Sequence, residues 1–370
     1  MSDNEFRSVM FDVAYLAGCA VNRQKPDAQR IAGLNPEHLL EAARKHKLGA
    51  AVGMALESAG IRDPQFVREA AMAQRRIALL DIDRKAVLDR LEEAGIWYAP
   101  LKGAILKDLY PRFGMREMAD NDILFDETRA EDVRRIMVNL GFSVEEFGER
   151  NHDVYYKKPV TNMEMHRSLF HKEHQDLCAY YANVKDRLIP DESRAFGRHF
   201  SDEDFYLYMI AHEYSHYRFG GTGLRSLLDT YVFLKNKRLD MAYIAREAEK
   251  IGISDFERKN RALALHLFDG AELTREEKEM LDYIFFSGTY GTKENRINNE
   301  VAQKGKLAYF LCRLFPSVDY LSKLYPFLKK APFLYPLCWV MRNLRGVFCR
   351  RREMKAQMKA ALGMSKKKDE

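Results

Sequence analysis

Two short segments constrain this chain more than anything else in it: Leu101-Lys102-Gly103-Ala104, and then Ala119-Asp120-Asn121-Asp122-Ile123-Leu124. Residues 96–101 are aromatic and branched and read as a short strand. The strand runs into a glycine turn and then a short helix over residues 104–110. Residues 122–125 read as a second strand. In an extended strand alternate residues face the same way, so Asp120 and Asp122 aim two carboxylates at one point. Two carboxylates held together repel unless a cation lies between them. Hard oxygen ligands suit Mg2+ or Mn2+, which can also bind a substrate triphosphate. Gly103 lets backbone N–H groups approach a phosphate, and the helix N-terminus behind it favours negative charge. Lys102, Gly103 and Ala104 are therefore candidate nucleotide-binding residues.

The surrounding pattern predicts an α+β fold. Residues 128–140 read as a helix, with Thr128 as its cap, Glu131 three positions on and Gly141 at its end. Strands are expected at 142–146, 154–157 and 163–167, which gives a mixed sheet of about five strands. Phosphoryl transfer with two metals calls for a third acid. Glu164 is the candidate, since strand alternation sets Glu164 and His166 on the face opposite Met163 and Met165. Helical periodicity covers residues 5–95, including one long helix over 64–95 that starts at a proline. It returns at about 202–217, 223–236, 240–251, 254–267 and 274–286, with a loop at 288–292. The expected organisation is an N-terminal helical region (1–95), a catalytic sheet (96–175), a helical domain closing the cleft (176–303) and a basic helical tail (304–370). Prolines 316, 326, 332 and 336 break that tail into short helices.

Composition sets the outer limits. The 370 residues are 46% hydrophobic and 31% charged, an ordinary globular balance. The N-terminus, MSDNEFRSVM, lacks the basic-then-apolar pattern of a secretory signal. The most apolar stretch, residues 331–341, is 11 residues long with two prolines, too short to span a bilayer. Five scattered cysteines form no C-x-x-C pair, so a reducing, cytoplasmic setting is expected. Charge is unevenly spread: residues 304–370 carry a net +12 and the remainder a net −6. A basic tail beside the apolar, aromatic residues Phe333, Leu334, Tyr335, Leu337 and Trp339 suits an anionic membrane surface or another polyanion. The basic residues lack the interleaved aromatics and the motif of a nucleic-acid binder.

The segment from Tyr98 through Lys102-Gly103 to Leu109-Tyr110-Pro111, with Arg116-Glu117-Met118-Ala119-Asp120-Asn121-Asp122, resembles the uncharacterised nucleotidyltransferase family of bacterial proteins, within the DNA polymerase β-like superfamily. Gly141-Phe142, Glu164-Met165-His166 and the stretch from His212 to Asp229, with its Gly220-Gly221-Thr222-Gly223-Leu224-Arg225 run, extend the resemblance over roughly residues 40–290. It implies metal-dependent transfer of a nucleoside monophosphate from a triphosphate to a hydroxyl or phosphate acceptor, with release of pyrophosphate. Asp120 and Asp122 would hold the metals and Glu164 would complete one site. The turn here is Gly103-Ala104, where the superfamily usually has Gly-Ser or Gly-Gly.

Lys102, Arg116 and Arg225 are candidates to contact phosphates. His166, His212, His216 and Asp229 are candidates to line the cleft. A competing pattern overlaps them: His212-Glu213-Tyr214-Ser215-His216 satisfies H-E-x-x-H, the arrangement of a zinc hydrolase with Glu213 as base. A catalytically silent nucleotide-binding module is a third reading.

Overall fold

A computed structural model describes residues 1–289, isolated positions between 291 and 305, and residues 314–349. Two compact units emerge: one formed by Met1–Ser215 with Thr222–Thr289, the other by His216–Gly221 with the chain from Tyr290 onward.

The first unit is built on a five-stranded sheet. Its strands are β1 (Tyr98–Pro100), β2 (Asn121–Phe125), β3 (Ser143–Glu146), β4 (His152–Lys157) and β5 (Thr161–His166), in the order β1-β2-β5-β4-β3. β2 and β5 run parallel; every other pairing is antiparallel. One face is covered by two helices, α5 (Pro64–Glu93) and α7 (Ala130–Asn139). Val87 and Leu91 of α5 and Val133 and Met137 of α7 pack with Ile123, Phe125, Met163 and Met165 in a single apolar core. α5 is capped as its sequence dictates: the Asp63 carboxylate accepts from the N–H groups of Gln65 and Phe66, and Pro64 occupies the first turn.

The remaining helices of this unit form a bundle. α1 (Asp3–Val21) packs against α3 (Pro36–Lys45), α4 (Gly49–Ser58), α10 (Leu224–Asn236), α12 (Ser254–Asp269) and α13 (Arg275–Ser287). Buried His46 ties three of these segments together. It accepts from the N–H of Leu224 at Nδ1 (3.0 Å), and its Nε2 lies 3.0 Å from the Phe285 carbonyl. Burial pushes the pKa of His46 down to about 3, so it is a neutral connector.

Several local expectations are corrected. Thr128 does not cap the helix after β2. Asp126 instead caps a 3-10 turn (Glu127–Arg129), and α7 begins after it at Ala130 without a side-chain cap. The helix after the glycine turn splits into α6 (Gly103–Leu106) and a 3-10 turn, Lys107–Leu109. A two-stranded ribbon absent from the sequence reading, β6 (Leu188–Pro190) with β7 (Arg198–Phe200), lies beside β1 through Tyr98 and Gly197. The other helices expected after residue 200 form nearly as read: α9 (Asp202–Phe219), α10, α11 (Met241–Ile251), α12 and α13.

In the second unit, helices Val318–Leu324 and Tyr335–Cys349 enclose a small core of Leu321, Leu328 and Cys338. Pro326 and Pro332 each open a 3-10 turn between the two helices, while Pro336 lies in the first turn of Tyr335–Cys349. Residues 350–370, which hold most of the basic run, lie outside the described residues, as do positions 290 and 292 of the expected loop. Among the described residues no helix is long and apolar enough to cross a membrane.

Candidate active site

Strand alternation sorts the two central strands by chemistry. Asn121 and Ile123 of β2, with Met163 and Met165 of β5, face the α5 side; the Asn121 amide donates to the Leu80 carbonyl there (2.9 Å). Asp122, Glu164 and His166 face the other way. The parallel register sets Asp122 directly beside Glu164 and Leu124 beside His166. Asp120 sits just before β2.

The three acids are held in different electrostatic states. Asp122 is buried, and its Oδ1 accepts from Lys102 Nζ (2.6 Å) and lies 2.8 Å from His166 Nε2. Burial disfavours its charge, but Lys102 and His166 outweigh that and hold its pKa well below the usual carboxylate range. The same pairing raises the pKa of Lys102 despite burial. Asp120 has no hydrogen-bond partner among the described residues, and burial and the charge of Asp122 push its pKa up. For Glu164, burial and then the charges of Asp122 and Asp120 raise the pKa to about 7. The sheet thus concentrates more negative charge than Lys102 neutralises, an arrangement that fits a bound cation.

Lys102 carries this site on a strained backbone. It has φ +43° between β1 and α6, a positive-φ conformation outside the left-handed helical well that residues other than glycine rarely adopt. The Leu101 N–H donates to the Asp122 carbonyl (2.9 Å), so the strained residue is locked against the strand that bears the acids.

The arrangement also contains a group that sequence reasoning missed. His152 Nε2 lies 3.8 Å from Glu164 Oε2, and His166 Nε2 lies 3.7 Å from the same oxygen. Ligand atoms of His152, Glu164 and His166 fall within 4.8 Å of one another; among the described residues, the Asp120, Asp122 and Glu164 carboxylates do not converge that closely. His152 pairs across the sheet with His166. The sequence reading began that strand at Val154, two residues late, and so lost the pairing that would have exposed His152.

Other expected site residues divide by role. Arg116 is buried and bidentate to Asp229 (Nε to Oδ1 2.7 Å, Nη2 to Oδ2 2.9 Å), and the Tyr110 hydroxyl donates to the same carboxylate (2.7 Å). Arg116 and Asp229 therefore form a brace between the loop before β2 and α10. A Cβ at Gly103 would stand 2.7 Å from Arg116 Nη1 and 3.2 Å from the Met118 side chain, so the glycine makes room for the brace. Arg225 donates from Nη1 to the Glu117 carbonyl (3.0 Å). Its Nε is buried without a partner, and its charge acts on Asp120. Gly223 positions it: a Cβ there would meet the Thr289 backbone at 2.8 Å.

From α9, Tyr208 presents a buried hydroxyl without a partner, in the field of Lys102, Asp122 and Glu164. His212 packs beside the Tyr208 ring at 6.2 Å between centroids, whereas His216 belongs to the second unit. Glu213 points into the core. It accepts from Asn260 Nδ2 (3.0 Å) and the Thr230 hydroxyl (3.5 Å), and burial raises its pKa to about 8.

A family profile described as an uncharacterised nucleotidyltransferase matches residues 32–269, well over half of the chain. No curated protein matches. Among solved structures, an antigenic nucleotidyltransferase-like protein from Paracoccidioides brasiliensis is similar at 11% identity and a TM-score of 0.35, over 53% of this chain and 95% of that one.

Proposed function

Because this chain belongs to the uncharacterised nucleotidyltransferase family, we propose that it moves a nucleoside monophosphate from a triphosphate such as ATP to a hydroxyl or phosphate acceptor, in the manner of DNA polymerase β-like enzymes. One observation carries the reading: the parallel register of β2 and β5 sets Glu164 beside Asp122, with the unpartnered carboxylate of Asp120 next to them. Mg2+ or Mn2+ held by Asp120, Asp122 and Glu164 would stabilise the leaving pyrophosphate and lower the acceptor's pKa.

The acceptor oxygen attacks the α-phosphorus, and the bond from that phosphorus to the bridging oxygen breaks to release pyrophosphate. Glu164, by completing the metal site, would help activate the acceptor oxygen, whose proton leaves to solvent. Lys102 keeps Asp122 ionised and, with Arg225, presents positive charge to the triphosphate. Gly103 and Ala104 supply backbone N–H groups at the turn. Arg116 acts through Asp229 and Gly103 as a positioning residue. His166 positions Asp122, and His212 lines the α9 side.

Zinc hydrolysis at His212 and His216 has less support, because Glu213, the base it requires, is buried against Asn260 and held protonated at neutral pH. We further propose that the second unit and the basic tail rest on an anionic membrane surface on the cytoplasmic side.

The test is incubation of the purified chain with each labelled triphosphate, Mg2+ or Mn2+, and cell extract, followed by mass spectrometry of labelled products. Asp120→Asn should lower labelling at least about a hundredfold, the scale of losing one group that stabilises the transition state. Asp120 has no internal partner to strand, so the fold should persist. Equal labelling by the variant would sink the assignment. Nucleotide binding without any product would leave a silent binding module.

A further inference from the structure

The sheet also carries a cluster with chemistry outside the transfer reaction. β4 and β5 pair so that His152 stands opposite His166, and Glu164 lies between them on the same face. The three facing atoms are His152 Nε2, His166 Nε2 and Glu164 Oε2, with both histidine-to-glutamate distances below 4 Å. Tetrahedral zinc with bonds of about 2.0–2.1 Å spaces its ligand atoms about 3.3–3.4 Å apart, so the two histidine-to-glutamate edges need to contract by only a few tenths of an ångström, and all three ligand atoms already lie within 4.8 Å of one another. His166 is almost wholly buried, and the other ring nitrogen of His152, Nδ1, is buried with no hydrogen-bond partner. The two rings lie 5.1 Å apart at 45°, tilted rather than stacked.

We propose that His152, Glu164 and His166 form a binding site for a zinc-class transition-metal ion. The donor set is two imidazoles and one carboxylate. That set favours zinc and its neighbours over Mg2+, which takes oxygen ligands and keeps its water. It is also the donor set of open zinc sites, which leave a fourth position for water or substrate. To bind, His166 gives up its Nε2 contact with Asp122 and carries its proton on Nδ1. Asp122 keeps the ammonium of Lys102, so its charge stays paired. The site shares Glu164 with the proposed transfer centre, but its existence does not depend on nucleotidyl transfer. Asp120 lies outside the trio.

Isothermal titration of the chelator-stripped, full-length chain with zinc chloride alone tests the site. One zinc per chain is expected. His152→Ala should weaken binding at least tenfold, whereas His216→Ala should stay within about twofold of the parent. Absence of zinc binding, or equal binding by His152→Ala, overturns the proposal. So does loss of the ion in His216→Ala alone, which would assign it to the H-E-x-x-H segment. If His152→Ala misfolds by circular dichroism, His152→Asn with Co2+ as the probe decides. Tetrahedral cobalt absorption in the parent that vanishes in the variant supports the site; absorption that persists, or is missing from the parent, overturns it. An Asp120→Asn protein that still labels acceptors but also still binds zinc would refute the transfer reading and leave this site standing.

Discussion

Gly103 shows how one absent methyl group can hold a site together. Its missing Cβ leaves room for the Arg116 guanidinium, which cannot retreat because Asp229 grips it with two hydrogen bonds. Gly103→Ala should therefore overpack a pinned group and lower stability by about 1–3 kcal/mol. Thermal denaturation measures this. The same substitution in an Arg116→Ala background should cost clearly less, because the clash partner is gone and neighbouring effects do not add. Equal costs in both backgrounds would show that the Met118 side chain, not the brace, excludes a Cβ there. The sequence made Gly103 legible as a turn and Arg116 as a cation. It gave no sign of their contact, because the pairing of Arg116 with Asp229 spans 113 positions and follows no local pattern.

At the scale of elements, α9 carries a testable charge. Glu213 has an ordinary pKa of 4.5 and is raised by burial to about 8 in the folded chain. The folded state therefore binds a proton that the unfolded chain has released between those values. By linkage, this group's contribution to stability is greatest below about pH 4.5, declines as pH rises toward 8, and changes no further above it. Glu213→Gln should remove that decline, so the variant should gain on the parent in urea midpoint between pH 5 and pH 8. Parallel pH dependences in the two proteins would rule the effect out.

The same scale shows what the sequence discloses. Helices such as α5 and α10 to α13 are readable almost to the residue, because each buries an apolar stripe and α5, α11 and α13 also open on a capping side chain. The alternation in β5 is equally plain and predicts the opposite faces of Glu164 and the two methionines. The β6–β7 ribbon is not readable: its strands are three residues each, with Pro190 at one end and no alternation. His152 was hidden for a related reason, since a strand's first residue has no preceding neighbour to set its phase. Roles fixed by distant partners, such as the burial of Glu213 against Asn260, require the tertiary structure.

On the scale of the whole molecule, the second unit stands out for its exposed apolar side chains. Phe333 is 79% exposed, Phe315 55% and Leu337 54%, and the basic run follows within a few residues. Aromatic and aliphatic anchors beside cations suit an anionic bilayer. The full chain should float with phosphatidylserine vesicles at moderate salt but not with purely neutral ones. Phe333→Ser with Leu337→Ser should reduce flotation severalfold. No flotation of the parent, or flotation insensitive to lipid charge, would count against membrane attachment.

The sheet order also governs when the site can exist. β3, β4 and β5 form a local meander, while β2 joins β5 in parallel across the whole intervening chain. Local pairings close cheaply and early; distant ones wait for the loop between them to be shortened. During refolding, the hairpin that brings His152 to His166 should thus be in place before Asp122 reaches Glu164. Pulse-labelled hydrogen exchange would record this order as protection of β4 and β5 amides ahead of those of β2; protection of all three together would refute it. A chain caught between the two stages would hold its histidines paired while its acids were still apart, so the imidazole half of the site has an earlier birthday than the carboxylate half.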